Sequence, residues 1–271
     1  MARKKQKTSS MKVVILCGGK GTRLREETEF RPKPLMKIGD MPILWHIMKI
    51  YSQYGFQEFV LCLGYKGEMI KDYFLNFEEM VNDFTLDLRG GSKNKRITHH
   101  NKEKLENWKI TFVETGKEVQ TGARIYRIKD YINNDEDFLL TYGDGVADID
   151  LGKLIEYHHA KKKILTVSGV YSRSVFGLIE HRDGLVKTFR EKPKVEDMIS
   201  GGFFVCNKKI FDYLSDNDNC IFEDKPMKKL ASEDELALYK HEGFWYCIDT
   251  QKHVEELNDL WKTNKACWKI W

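Results

Sequence analysis

Short, wholly apolar runs alternate with amphipathic helical stretches along this chain, and that alternation points to a parallel sheet covered by helices on both faces. KVVILC at 12–17 reads as a buried strand, and PILWHIMKIYSQY places Leu44, Ile47, Met48 and Tyr51 on one helical stripe. FVLCLG at 59–64 is a second buried strand, followed by a helix from about Lys66 to Phe77. FLLTYGD at 138–144 and LGKLIEYHHAKK after it repeat the unit. Between them FTLDL, RITHH and WKITFVE alternate like strands without helices, so a small antiparallel excursion is expected over 83–113. The second half changes character. FGLIEH and LVKTFRE flank Asp183-Gly184, a hairpin signal, and GGFFVCN, ALYKHE and FWYCID are strands mixed with two short helices. The expected fold is α/β: an open, Rossmann-like, mostly parallel mixed sheet with helices on both faces and small antiparallel excursions. Such sheets bind ligands at the carboxyl ends of their strands.

The 271 residues can bury a sizeable core, and no linker or internal repeat divides them, so one domain over 11–271 is expected behind a disordered basic tail at 1–10. Lys and Arg number 45 against 41 Asp and Glu, but Arg3, Lys4, Lys5 and Lys7 belong to that tail, so residues 11–271 balance at 41 each. A neutral body lacks the basic face that nucleic-acid binding requires, which leaves a small anionic ligand open. No apolar run approaches the roughly 20 residues of a membrane span, and VVILC is too short for a secretory signal core, so the expected location is the cytoplasm. Six cysteines (17, 62, 206, 220, 247 and 267) contain no CxxC pair and read mostly as reduced core residues.

The first strand runs into CGGKGTRLREETEFRPKPL. Glycines there let backbone N–H groups turn toward a phosphate with no Cβ in the way. The spacing is not the dinucleotide fingerprint, since Gly19-x-Gly21-x-x lands on Leu24, and no Gly-Lys-Ser/Thr follows as in a P-loop. Arg23, with Lys33 between Pro32 and Pro34, favours a triphosphate over a bare turn.

GGxGTRL, PKPL and GxxPILWHI together resemble the sugar-phosphate nucleotidylyltransferase family, nearest its CTP-using members. The likeness continues through GYKG at 64–67, TYGDGVADID at 141–150, EKPK at 191–194, GGFFV at 201–205, GFW at 243–245 and the ending ACWKIW. The resemblance implies transfer of a cytidylyl group from CTP to a sugar 1-phosphate, with α-D-glucose 1-phosphate expected and another sugar phosphate or nucleotide as the alternative. The products would be a CDP-sugar and pyrophosphate, for nucleotide-sugar and surface-polysaccharide (lipopolysaccharide O-antigen) synthesis. It also implies Mg²⁺, a homo-oligomer, and neither nucleic acid nor membrane as partner. Residues 11–150 would mainly bind the nucleotide and 151–271 the sugar phosphate.

By the same resemblance Arg23, Lys33 and Lys192 are the catalytic cations. Leu16, Cys17, Gly18, Gly19, Lys20, Gly21, Thr22, Arg23, Lys33, Thr121, Gly122, Arg124 and Gly143 would contact the nucleotide, with the TGxR segment framing the pyrimidine. Gly177, Glu191, Lys192 and Gly202 would hold the sugar phosphate, and Asp144 in GDG and Asp249 in CIDT the metal. A triphosphate carries about four negative charges and a sugar phosphate about two, so several cations and a metal are needed to bring them together. A pair of aspartates completed by phosphate oxygens suits Mg²⁺. Three positions depart from the family pattern: Val119, where relatives carry a small polar residue, and Val175 and Ser200, where glucose-using members carry Arg and Asn.

A nucleotide-sugar glycosyltransferase with an Asp-x-Asp metal motif is the competing class, since Asp148-Ile149-Asp150 is present. Asp150 reads instead as a helix N-cap and Asp148 as a loop residue. Retention of both aspartates and all three cations opposes a non-catalytic relative. His99-His100 and His158-His159 read as surface histidines, because adjacent residues point to different faces and no HExxH pattern exists.

Overall fold

The computed structural model describes residues 11–21, 24, 28–89, 96–100, 105–132, 135–173, 177–191 and 194–271. Its main sheet has seven strands: β1 (Val13–Leu16), β2 (Glu58–Leu63), β3 (Lys109–Glu114), β4 (Asp137–Tyr142), β5 (Leu165–Arg173), β6 (Lys194–Asn207) and β7 (Leu236–His241). They lie in the order β7-β5-β6-β4-β1-β2-β3. β1 runs parallel to both its neighbours, with Val13 opposite Phe59 of β2 and Leu139 of β4. β6 runs antiparallel to β4 and β5, which makes the sheet mixed but mostly parallel.

Strand alternation sends Val13 and Ile15 to one face, where they meet Ile43, Leu44, Ile47, Met48, Ile50 and Tyr51 of α1 (Ile43–Gln53), all fully buried. Val14 and Leu16 face the other side and pack with Ile125, Ile128 and Phe222. Each such side chain contributes roughly 1.5–3 kcal/mol of burial. Five more helices matter below: α2 (Gly67–Leu75), α3 (Thr121–Arg127), α4 (Leu151–Lys161), α5 (Lys225–Ser232) and α6 (Gln251–Lys262). The C-terminal segment docks against α1. Trp268 is fully buried and donates from Nε1 to His46 Nδ1 at 3.4 Å, while His46 Nε2 donates to Ile38 O at 2.8 Å. Burial drives the His46 pKa down to about 4, so the ring is neutral and serves both bonds.

The expected excursion over 83–113 requires a correction. FTLDL and RITHH do pair as an antiparallel hairpin, Phe84–Asp87 with Arg96–His99. WKITFVE does not join them: β3 is the parallel edge of the main sheet beside β2. Its aromatic residues pack inward, Trp108 edge-on to Phe59 at 5.7 Å and Phe112 against Phe74 at 6.0 Å. In the second half, Asp183 (φ 51°) and Gly184 (φ 78°) make the hairpin turn between Leu178–Arg182 and Leu185–Arg190. Both central residues take the positive φ that a tight two-residue turn demands. Among the described residues no helix is long and apolar enough to cross a membrane, and the six cysteines form no disulfide.

Candidate active site

At the carboxyl ends of β1 and β4 the chain opens a cleft of about 210 Å³. Leu16, Cys17, Gly18, Gly19 and Gly21 line one side, Val119, Gln120, Thr121 and Arg124 another, and Lys33, Pro34, Tyr142, Gly143 and Asp144 the rest. Backbone contacts set its shape: Gly143 N–H donates to Leu16 O at 3.0 Å and Tyr65 N–H to Gly18 O at 3.2 Å. A Cβ on Gly143 would lie 3.0 Å from Pro34 and 3.1 Å from Leu16 O, so glycine lets the two strand ends approach. Gly122 stands behind this wall, where a Cβ would fall 2.7 Å from Cys220 Sγ.

The floor of the cleft concentrates charge. Lys33 Nζ donates to Asp249 Oδ1 at 2.8 Å and to Asp144 Oδ2 at 3.4 Å. Ile248 N–H bonds Asp144 O at 2.9 Å, and Gly145–Ala147 pairs with Trp245–Cys247, so two distant strand ends are tied side by side and present their aspartates together. Thr250 caps α6 by accepting from His253 N–H, the role Asp249 would otherwise fill, and the Asp249 carboxylate accepts from Lys33 Nζ instead. Burial raises the Asp144 pKa, aided by Asp249 and opposed by Lys33. Burial would lower the Lys33 ammonium, but the two carboxylates outweigh it and raise its pKa. Among the described residues no group of three or more metal-ligating side chains exists, and Asp144 and Asp249 form a pair. Two hard carboxylate oxygens converging on one point fit a small divalent cation that takes its remaining oxygens from phosphate and water.

Two of the expected nucleotide contacts sit differently from their reading in the sequence. Arg124 reaches the cleft, but its guanidinium lies beneath the glycine loop and donates to Gly18 O, Leu63 O, Thr115 Oγ1 and Gly116 O at 2.7–3.1 Å. It braces three loops from there. Lys20 turns to the far side of the loop, pairs with Glu118 at 2.6 Å, and borders a separate cavity with Tyr65 and Lys66. Thr121 lines the cleft, with its hydroxyl donated to Glu223 at 2.6 Å. The other oxygen of Glu223 takes the Tyr142 hydroxyl, which burial and this carboxylate keep protonated. Glu223 and Gln120 were missed by sequence reasoning. Gln120 could have been found beside Thr121, whereas nothing local marks Glu223.

In the second half of the chain, Gly202 (φ 76°) packs on the Tyr142 ring, 2.6 Å from where a Cβ would stand. Gly177 and the exposed Glu191 meet at the foot of the 178–190 hairpin, with Glu191 Oε2 3.1 Å from a Cβ at Gly177. Thr22, Arg23, Val175 and Lys192 lie outside the described residues. Asp150 caps α4 through Lys153 N–H, as expected, whereas Asp148 Oδ1 is buried without a hydrogen-bond partner, 3.1 Å from His241 Nε2 in a contact that is an ion pair only when that imidazole is protonated. The surface reading fails for His158: it is 3% exposed and bonds Thr166 Oγ1 at 2.8 Å, because the face of α4 that carries it packs on β5.

Residues 12–266 match the family model described as "Nucleotidyl transferase". The chain belongs to the nucleotidyl transferase family. A Bacillus subtilis (strain 168) relative named "Probable glucose-1-phosphate cytidylyltransferase" is 52% identical over 96% of this chain and 100% of its own length. The "Glucose-1-phosphate cytidylyltransferase" of Salmonella typhimurium (strain LT2) is 45% identical over 96% and 100%. Among solved structures, UDP-glucose pyrophosphorylase complexed with UDP-glucose superimposes with a TM-score of 0.64 at 18% identity, covering 94% of this chain and 99% of that one. HddC from Yersinia pseudotuberculosis does so with 0.66 at 24%, covering 93% and 99%. These two establish the shared nucleotidyl transferase fold. Its members generally use a divalent metal.

Proposed function

We propose that this nucleotidyl transferase transfers the cytidylyl group of CTP to α-D-glucose 1-phosphate, releasing pyrophosphate and forming CDP-glucose, with Mg²⁺ as its metal. The observation that carries the reading is Lys33 between Asp144 and Asp249 at the floor of a glycine-walled cleft, in a chain about half identical to glucose-1-phosphate cytidylyltransferases. An oxygen of the sugar phosphate attacks the α-phosphorus in line. The new P–O bond forms as the bond to the β-phosphate bridging oxygen breaks, and that electron pair leaves with pyrophosphate. The nucleophile is already ionised near neutral pH, so no general base is required and catalysis consists of positioning and charge stabilisation.

The backbone of Gly18–Gly21 receives phosphate oxygens, Lys33 bridges charges at the reacting centre, and Thr121 and Tyr142 shape the nucleotide wall. Asp144 and Asp249 would hold Mg²⁺, which when bound neutralises phosphate charge. Arg23 would face the departing pyrophosphate, and Gly177, Glu191, Lys192 and Gly202 the sugar phosphate. Six cysteines without a disulfide suit a reducing cytoplasm. Self-association is proposed through the 84–99 hairpin, where Phe84, Leu86 and Ile97 are exposed.

Pyrophosphate release is the test, measured with CTP, UTP, dTTP, ATP and GTP against a panel of sugar 1-phosphates. CTP with glucose 1-phosphate should give the highest kcat/KM. No turnover with any pair in folded protein overturns the reading, and a better pair reassigns the substrate.

A further inference from the structure

The carboxylate pair at the floor of the cleft already holds a cation, and it is part of the chain. Lys33 Nζ is bonded to both aspartates, and its side chain is 13% exposed. Its backbone is pinned in the short 3-10 turn Lys33–Leu35, with Pro32 before it, Pro34 inside it and Met36 N–H bonded to Lys33 O. Only the side chain is free to swing. Its stem passes the glycine loop at Gly21, where a Cβ would come within 3.0 Å of Lys33 Cγ and φ is 62°. The ammonium therefore hangs within reach of both the loop that receives phosphates and the aspartates that receive metal.

We propose that Lys33 is the resident counter-ion of the metal subsite, so that a divalent cation alone is excluded and metal and triphosphate bind in concert. This rests on the assignment of Asp144 and Asp249 to the metal. Two carboxylates and one ammonium carry a net charge of −1. A divalent ion entering alone either sits against the ammonium, a cation against a cation in a partly desolvated cleft, or expels it into water with no new partner. A triphosphate changes both options, because it offers Lys33 a replacement anion and the metal further oxygen ligands. Each ligand then removes the obstacle to the other, and the coupling must be reciprocal.

The test is metal binding without turnover: titration with Mn²⁺ at pH 7.5, followed by the electron paramagnetic resonance of free Mn²⁺, with and without a non-hydrolysable CTP analogue. Wild type should bind Mn²⁺ weakly alone and far more tightly with the analogue. Lys33→Met should bind Mn²⁺ alone about tenfold or more tighter than wild type, the scale of one charge-assisted contact removed from competition, and should gain less from the analogue. Lys33→Arg, which keeps the cation, should restore exclusion. Adding Asp144→Asn to Lys33→Met should abolish the gain and locate it at this site. Equal or weaker Mn²⁺ binding by folded Lys33→Met, or a gain that survives Asp144→Asn, overturns the proposal. Failure of the enzymatic reading shows separately, as wild type without CTP-dependent pyrophosphate release.

Discussion

Gly18→Ala offers a sharp test of how the glycine loop is supported. Gly18 has an ordinary negative-φ backbone that alanine can adopt, so any cost must come from contact. An added Cβ would stand 2.2 Å from Arg124 Nη1 and 2.4 Å from Cζ. The guanidinium, in a residue only 3% exposed, is pinned by Gly18 O, Leu63 O, Thr115 Oγ1 and Gly116 O. Relieving the overlap requires more than an ångström of movement, which sacrifices two of those bonds at about 1.5–3 kcal/mol each. Gly18→Ala should therefore lose about 3–6 kcal/mol, and the melting temperature should fall roughly 2 °C per kcal/mol.

Arg124→Ala alone should lose a comparable amount, because it strands the same carbonyls. In that background the three atoms nearest the Cβ at position 18 are gone, so Gly18→Ala should then cost no more than about 1 kcal/mol, a coupling of at least about 2 kcal/mol. Gly64→Ala is the internal control. Its Cβ would fall 2.5 Å from Arg124 Nη1 but also 2.7 Å from the backbone oxygen of Gly18, so removing the arginine cannot rescue it. Urea denaturation midpoints at constant m-value read all three. Equal cost of Gly18→Ala in both backgrounds, or rescue of Gly64→Ala by Arg124→Ala, would refute the bracing role.

Asp144→Asn should cut turnover at least about a hundredfold while leaving the melting temperature unchanged or higher. Its raised pKa makes the charged form costly to the fold, a cost that disappears as pH falls through the folded-state value, so thermal shift and pyrophosphate assays should move in opposite directions. For Asp137 burial alone would raise the pKa, but hydrogen bonds from His158, Asn207 and His159 hold it at about 2. That is stability present above about pH 4 and lost between about 4 and 2, worth up to about 2 kcal/mol, which Asp137→Ala should remove from a pH–denaturation profile. Deleting residues 1–10 should leave both turnover and melting temperature unaltered, and a large loss of either would assign that segment a role. Light scattering at micromolar concentration should show an assembly above the monomer, and Phe84→Glu should shift it toward the monomer.

Local period and turn chemistry made much of the fold legible in the sequence. The continuous apolar runs of β1, β2 and β4 announce strands buried on both faces, the stripe of Leu44, Ile47, Met48 and Tyr51 announces α1, and Asp183-Gly184 announces its hairpin, because each signal is written within a dozen neighbouring residues. Lys33 and the aspartates it bonds, Asp144 and Asp249, lie in motifs legible in the sequence. What meets what was not. WKITFVE is visibly a strand, yet whether it pairs with the 84–99 hairpin or with β2 depends on which apolar face has a partner across the molecule. Lys33 bonds aspartates 111 and 216 positions away. Glu223, with nothing nearby to mark it, closes on Thr121 and Tyr142, and Arg124 is drawn beneath the loop because that is where unpaired carbonyls converge. A chain can encode residue type and periodicity locally, but burial of a charge, and the partner that makes burial tolerable, exist only after distant strand ends have been brought together.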